Sequence, residues 1–383
     1  MNLPRPRLNR ITALTAASLI AFAACASDGE TAGPAATTPA TAAPDLDDVE
    51  TRDDVLTPND MTHLGLTWFS PPPPDSTATV NDRWTEATDA SSVGRVMFDW
   101  IDVEPEEGDR RFVELDESLA EMVDSGRAPM ASIVAVDVSG TEFPEWLGGF
   151  EPQRAADAYV AMVQDVLPIL ERHEVWTLSI ANEPPLADDD GLDRGQFAMF
   201  VEQVVDQLQE IAPDLAVTFT FAGGDPFIDD PAIDRMVDAV DVYSVNHYCL
   251  DAFLRAVPLD EAADRIDEHV ERAGDLPIVF QEFGCPAGEL MGSSDDFQLA
   301  WFGEAFDHIG EIDQVRAAFV FEFLDWSADT YELGYGEVEQ LLVDEVGQDF
   351  VDRFREWLLT SGLVRQDGTT RPAFDHFLEV AAG

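Results

Sequence analysis

The chain has 383 residues, 77 acidic against 21 basic, for a formal charge of −56, and every basic residue is arginine. Such a charge repels phosphate polymers and anionic surfaces, which argues against nucleic acid as a partner. A hydrophobic content of 45% excludes a disordered acidic tail and leaves material for one large domain or two small ones.

Arg5, Arg7 and Arg10 precede an uncharged apolar run from Ile11 to Ala24. That run is too short to span a bilayer as a stop-transfer helix and has the layout of an export signal. It ends Phe22-Ala23-Ala24-Cys25, small residues before a cysteine, which resembles the lipobox of bacterial lipoproteins. The resemblance implies a signal peptide over residues 1–24 and a diacylglycerol on the Cys25 sulfur. The protein would then be exported and anchored to the cell membrane through that lipid alone. An ordinary signal peptide with an incidental cysteine is the alternative. Residues 25–59 are rich in Ala, Thr, Pro, Gly and Asp without apolar periodicity, and read as a disordered tether. Residues 60–383 read as the folded domain.

From residue 60, short apolar runs alternate with longer amphipathic ones. The runs are His63 to Trp68, Gly94 to Asp99, Pro129 to Val136, Thr177 to Asn182, Ala216 to Phe221, Val242 to His247, Pro277 to Glu282 and Ala317 to Phe323. Between them, Phe112 to Asp124, Gln153 to Arg172, Arg194 to Ile211, Pro231 to Val237, Leu259 to Ala273 and Asp296 to Ile309 repeat apolar residues every three or four positions. The runs are nearly continuous in hydrophobicity, as for parallel strands covered on both faces. Eight strands alternating with helices predict an α/β fold, the (β/α)8 TIM barrel. No glycine-rich phosphate loop follows the first strand, which argues against a doubly wound open sheet. Residues 331–349 read as an elaborated loop, with a final helix at Phe350 to Leu359.

In such a barrel, chemistry collects at the C-terminal ends of the strands. Glu183 follows the fourth strand in Asn182-Glu183-Pro184, and Glu282 closes the seventh in Gln281-Glu282-Phe283-Gly284. Two partly buried facing carboxyls are what glycoside hydrolysis needs: one protonates the leaving oxygen, the other attacks the anomeric carbon or activates water. Glu104, Glu322 and Asp325 are further carboxyls near the same rim. Cys249 and Cys285 each follow a strand, and the sequence leaves open a bridge between neighbouring loops or two free thiols.

These motifs resemble the clan of retaining glycoside hydrolases with (β/α)8 barrels that contains family 5 cellulases and mannanases. The resemblance covers roughly residues 60 to 380 and includes the ending Ser361-Gly362-Leu363-Val364 to Arg371-Pro372-Ala373-Phe374. It implies that Glu183 is the acid/base and Glu282 the nucleophile. Arg95 would steady the nucleophile, Asn182 would bind the sugar 2-hydroxyl, and Tyr248 would hydrogen-bond Glu282. Trp326 would stack on a sugar face, and Trp68, Trp100 and Trp146 would line flanking subsites. Clan members often carry His, one residue, then Tyr on the sixth strand; here Asn246 takes the His position and His247 is shifted by one. A one-residue shift on a strand turns the side chain to the other face, so His247 is the weaker of the supporting candidates.

The implied reaction is double displacement with retention on an oligo- or polysaccharide, a β-linked glucan, mannan or related polymer. No cofactor or metal is expected, because no His/Cys cluster has zinc spacing. A non-catalytic glycan-binding lipoprotein and a transglycosylase are the competing readings.

Overall fold

The computed structural model describes residues 63–67, 76–138, 140–184, 192–336 and 338–382. The expected signal peptide and tether, Cys25 and Trp68 lie outside the described residues. Eight parallel strands form the barrel: β1 (His63–Leu66), β2 (Val93–Asp99), β3 (Ala128–Asp137), β4 (Thr177–Asn182), β5 (Ala216–Phe221), β6 (Tyr243–Tyr248), β7 (Ile278–Gly284) and β8 (Val315–Val320). The pairing runs β1-β8-β7-β6-β5-β4-β3-β2, and a two-residue strand, Gly140–Thr141, lies antiparallel against the end of β3. The seam between β1 and β2 is drawn together by the Ser92 N–H, which donates to the Leu64 carbonyl at 3.0 Å. A side chain at Gly65 would stand 2.5 Å from the Val93 carbonyl, so a bare backbone is what lets the barrel close there.

The helices follow from capping and a single apolar face. In α4 (Arg194–Ile211), the Asp193 carboxylate accepts from the Gln196 N–H at 2.8 Å, and Phe197, Val201, Val204 and Leu208 share the buried face. In α7 (Asp295–Ile309), Ser294 caps the first turn through the Phe297 N–H. The others around the barrel are α1 (Ala78–Ala90), α2 (Val113–Asp124), α3 (Pro152–Arg172), α5 (Pro231–Ala239) and α6 (Ala262–Ala273). The main core lies between these helices and the sheet. A second, smaller cluster of Val93, Met130, Trp176, Val242, Val279 and Phe319, most of them at or near the starts of their strands, plugs the barrel interior. Above it sit buried hydroxyls, among them Thr218, which donates to the Val242 carbonyl at 2.6 Å, and Thr220, which shares a 2.9 Å hydrogen bond with Ser244. The interior is thus filled from below, and only its C-terminal mouth is left for chemistry.

Three expectations need correction. Helix α1 is absent from the periodic pattern because only Val80 and Ala87 are buried in it. Residues 331–349 are not a loop: α8 (Ala328–Tyr335) and α9 (Glu339–Val346) occupy most of them, with Ser327 capping the first. Their glycines, Gly334, Gly336 and Gly347, had the look of loop residues, yet two of them stand at helix ends. The last helix is α11 (Pro372–Ala381), beyond α10 (Gln348–Thr360).

Cys249 and Cys285 form a disulfide, with Cα atoms 5.1 Å apart and a sequence separation of 36. It joins the residues that leave β6 and β7. Cross-linking a loop of that length removes about 4 kcal/mol of denatured-state entropy on a chain-entropy basis. Unfolding in guanidinium with and without dithiothreitol should therefore show a loss of roughly 2–4 kcal/mol on reduction. An unchanged midpoint would mean the bridge is not present in solution.

Candidate active site

The β4 strand delivers Asn182 and Glu183 to the mouth. Glu183 takes φ of 44°, a left-handed conformation that costs a non-glycine residue on the order of 1–2 kcal/mol. It is held there by its own N–H, which donates to the Thr220 carbonyl at 2.8 Å. The Asn182 Oδ1 accepts from Gln281 Nε2 at 2.6 Å, and its Nδ2 donates to Asp137 at 3.0 Å.

On the far side, Val245 pairs with Phe280 but Asn246 pairs with Glu282, so Gln281 is an extra residue in β7. This bulge lets two successive side chains reach the mouth: Gln281 bonds Asn182, and Glu282 accepts from the Tyr248 hydroxyl. Phe280 and Phe283 pack on the outer face instead, against His247. Gly284 completes the arrangement, since a Cβ there would sit 2.4 Å from the Phe321 carbonyl and 3.2 Å from the Tyr248 ring. Alternation along β6 sends Asn246 and Tyr248 inward. The Asn246 Nδ2 donates to Glu183 Oε1 at 2.8 Å, and the same amide reaches Glu282. One side chain therefore touches both carboxyls.

The electrostatics separate the two acids. Burial and the Glu282 charge push the Glu183 carboxyl well above the usual range, against one hydrogen bond from Asn246. Burial also raises Glu282, to about 7, but the Arg95 guanidinium and the Tyr248 hydroxyl pull it back. Arg95 is fully buried, with its Nε donating to Ser132 at 3.1 Å, and burial lowers its own pKa to about 10. Glu282 thus holds its proton less tightly than Glu183.

The other expected residues divide. His247 does not face the mouth. It is 3% exposed, packed against Phe283 and Trp301, and burial with the His269 and Arg265 charges drives its imidazole well below the usual range. Strand alternation is the reason. Trp100 is wholly buried: its ring lies edge-on to Tyr159 at 5.1 Å and its Nε1 donates to Glu104, because it opens a helical turn after β2 that carries it into the packing. Trp146 packs edge-on to Trp100. Trp326 is half-buried beside α8, its ring centroid 6.2 Å from that of Tyr335. Four contributors were not among the site candidates, and Asn246, described above, is one of them. Asp137 ends β3. Gln281 is the bulge residue. Tyr335, from α8, is close enough to Asp137 and Glu183 that burial and their charges raise its hydroxyl to about 12. Among the described residues, no group of three or more His, Cys, Asp or Glu is disposed to hold a metal ion.

No protein-family model matches this chain, and no curated protein matches it in sequence. Solved structures match in fold. A GH5_18 variant from Bifidobacterium longum subsp. longum in complex with Manb1-4GlcNAc is 15% identical, with 84% of this chain aligned to 78% of that one and a TM-score of 0.61. A family 39 glycoside hydrolase from Bacteroides cellulosilyticus gives 16%, 84% and 64%, and 0.56. The exo-beta-1,4-mannosidase Op5Man5 from an Opitutaceae bacterium gives 14%, 84% and 59%, and 0.58. At this identity the likeness shows the fold, a (β/α)8 barrel of the kind these glycoside hydrolases share.

Proposed function

We propose that the protein is a retaining glycoside hydrolase acting on β-linked glycans, with Glu282 as nucleophile and Glu183 as acid/base. The observation that carries this reading is that one amide, Asn246, reaches both carboxyls. Carboxyls that share one amide side chain stand close together. Retaining enzymes hold their carboxyls about 5–5.5 Å apart, whereas inverting ones leave about 6.5–9.5 Å for a water. Glu282 has the cation and the phenol needed for it to ionise first. Both act less on Glu183, which keeps the proton that a leaving oxygen requires.

In the first step Glu282 attacks the anomeric carbon while Glu183 protonates the departing oxygen, and a glycosyl ester forms on Glu282. Glu183, now ionised, takes a proton from water, and that water releases the sugar from the ester. Asn182, held by Gln281 and Asp137, is the group aimed at the sugar 2-hydroxyl. The structural neighbours, one in complex with Manb1-4GlcNAc and one an exo-beta-1,4-mannosidase, favour a β-mannosyl or related β-linked substrate for this chain too. We further propose export and attachment through Cys25; the disulfide supports an oxidising compartment.

The direct test is reducing-sugar release by the tether-free domain, in high salt, across β-glucans, mannans, xylans and galactans. Glu282→Gln should remove activity by a factor of at least ~10³. Glu183→Gln should cost ~10²–10⁴ on natural polymers but far less on aryl glycosides with an acidic leaving phenol, which needs no protonation. Equal losses on both substrates would sink the acid/base assignment.

The pH profile carries a second expectation. The nucleophile works ionised, so kcat/KM should rise through about pH 7, where Glu282 loses its proton. It should fall again at higher pH, where Glu183 loses its own. The Tyr248 hydroxyl favours the ionised form of Glu282, so Tyr248→Phe should move the acid limb to higher pH and lower kcat about 10-fold. An acid limb that stays in place would show that Tyr248 does not act on the nucleophile.

A further inference from the structure

Glu104, Asp325 and Glu322 are the remaining carboxyls that the sequence brings toward this rim, and the first two are fully engaged. Glu104 accepts from the Trp100 indole at 3.1 Å and the Gly108 N–H at 2.9 Å, and pairs with Arg110. Asp325 takes both arms of Arg371, at 2.8 and 2.9 Å, and the Gly362 N–H at 2.9 Å.

Glu322 differs. It is 2% exposed, and its Oε1 has no hydrogen-bond partner among the described residues. Burial and the carboxyls of Asp325 and Glu282 push its own carboxyl well above the usual range, against one hydrogen bond from the Trp326 indole. Its backbone leaves it little freedom. The carbonyl accepts from the Leu363 N–H at 3.0 Å, the N–H donates to Ser361 at 3.4 Å, and Arg371 clamps Asp325 three residues on. A buried carboxyl oxygen fixed in place without a donor carries the full desolvation cost of that group. Asn246 Oδ1 and Gln281 Oε1, at the same mouth, also lack donors. Three buried acceptors gathered in one place call for a ligand rich in donors.

We infer that Glu322 binds a hydrogen-bond donor on the sugar held against Glu282 and selects among glycans by that donor. The inference rests on the glycosidase reading of this mouth. Two chemistries supply such a donor: a ring hydroxyl, or the ammonium of an amino sugar. A hydroxyl asks only for an acceptor oxygen, and a protonated Glu322 provides one. An ammonium would draw the proton off Glu322 and leave an ion pair.

The test compares wild type, Glu322→Gln and Glu322→Leu on 4-nitrophenyl β-glucoside, β-mannoside, β-xyloside (which lacks the C6 hydroxymethyl), 2-deoxy-β-glucoside and 2-amino-2-deoxy-β-glucoside. Glu322→Leu should lower kcat/KM at least ~10-fold on the best substrate and less than ~3-fold on the analogue lacking the contacted donor. Glu322→Gln should retain most of the turnover if the donor is a hydroxyl, and should lose as much as Glu322→Leu on the amino glycoside if it is an ammonium. A loss of equal size on every glycoside would overturn the inference, because a merely structural residue does not discriminate among donors. Calorimetric binding of the matching methyl glycosides to Glu282→Gln, with and without Glu322→Leu, decides the point independently of turnover. An affinity unchanged by Glu322→Leu, or no sugar binding at all, would also overturn it. Undiminished hydrolysis by Glu282→Gln would instead refute the nucleophile assignment, leaving the binding comparison to decide Glu322. Thermal melts of both Glu322 variants check that each is folded.

Discussion

The mouth of this barrel depends on one buried cation. Arg95 is 1% exposed and lies within the field of Glu282, Asp137 and Glu183. A guanidinium removed from water is tolerated only when charges and hydrogen bonds around it replace the lost solvation. The reverse also holds: a single guanidinium cannot neutralise all the acids that surround it, and the surplus is met by protons. Glu282 stands first among the carboxyls acting on Arg95, and it is the one that ionises more readily. Glu183, lower in that order, keeps its proton. The difference in proton affinity between two chemically identical side chains thus follows from the placement of one charge, helped by the Tyr248 hydroxyl.

That placement is made by backbone irregularities rather than by regular strand geometry. A strand presents alternate residues to one face, so Gln281 and Glu282 cannot both enter the mouth without the extra residue in β7. The left-handed turn at Glu183 similarly swings its carboxyl off the direct line of β4. Both features rest on fixed surroundings: the backbone hydrogen bond to Thr220, the bare Gly284 and the disulfide from Cys249 to Cys285. The carboxyls are consequently carried by strand ends and not by the longer loops beyond them.

The eight-strand alternation was legible because a parallel sheet buried on both faces leaves nearly continuous apolar runs, and all eight expected strands begin within two residues of the observed start. The two glutamates were legible because polar residues at the ends of such runs stand out. What was not legible depends on partners distant in sequence. The bulge at Gln281 is a property of the pairing between β6 and β7, and no local pattern announces it. Asn246 was noted only as standing where a histidine is usual; that it touches both carboxyls follows from its register opposite Glu282. Trp100 and His247 are chemically apt for a sugar site, but burial, which sequence position does not give, assigns them to packing. Tyr335 lay in a segment read as a loop, and only the fold of α8 beside Trp326 brings it near Asp137 and Glu183.

The C-terminal tail belongs to the same construction. Arg371 is 4% exposed and spans Asp325, the Gly362 carbonyl and Asp295 at the start of α7. Gly362 must be glycine for this to work, since a Cβ would stand 2.3 Å from the Asp325 N–H nitrogen. Backbone hydrogen bonds between Leu363 and Glu322, and between Val364 and Phe323, then tie the tail to the segment leaving β8. That segment carries Phe321, whose ring meets Tyr248 edge-on at 5.7 Å, together with Glu322 and Trp326. Residues 361–374 therefore fix one wall of the mouth from behind the segment that carries Glu322. The Ser-Gly-Leu-Val and Arg-Pro-Ala-Phe stretches gain a physical reason: they hold in place the segment that leaves β8.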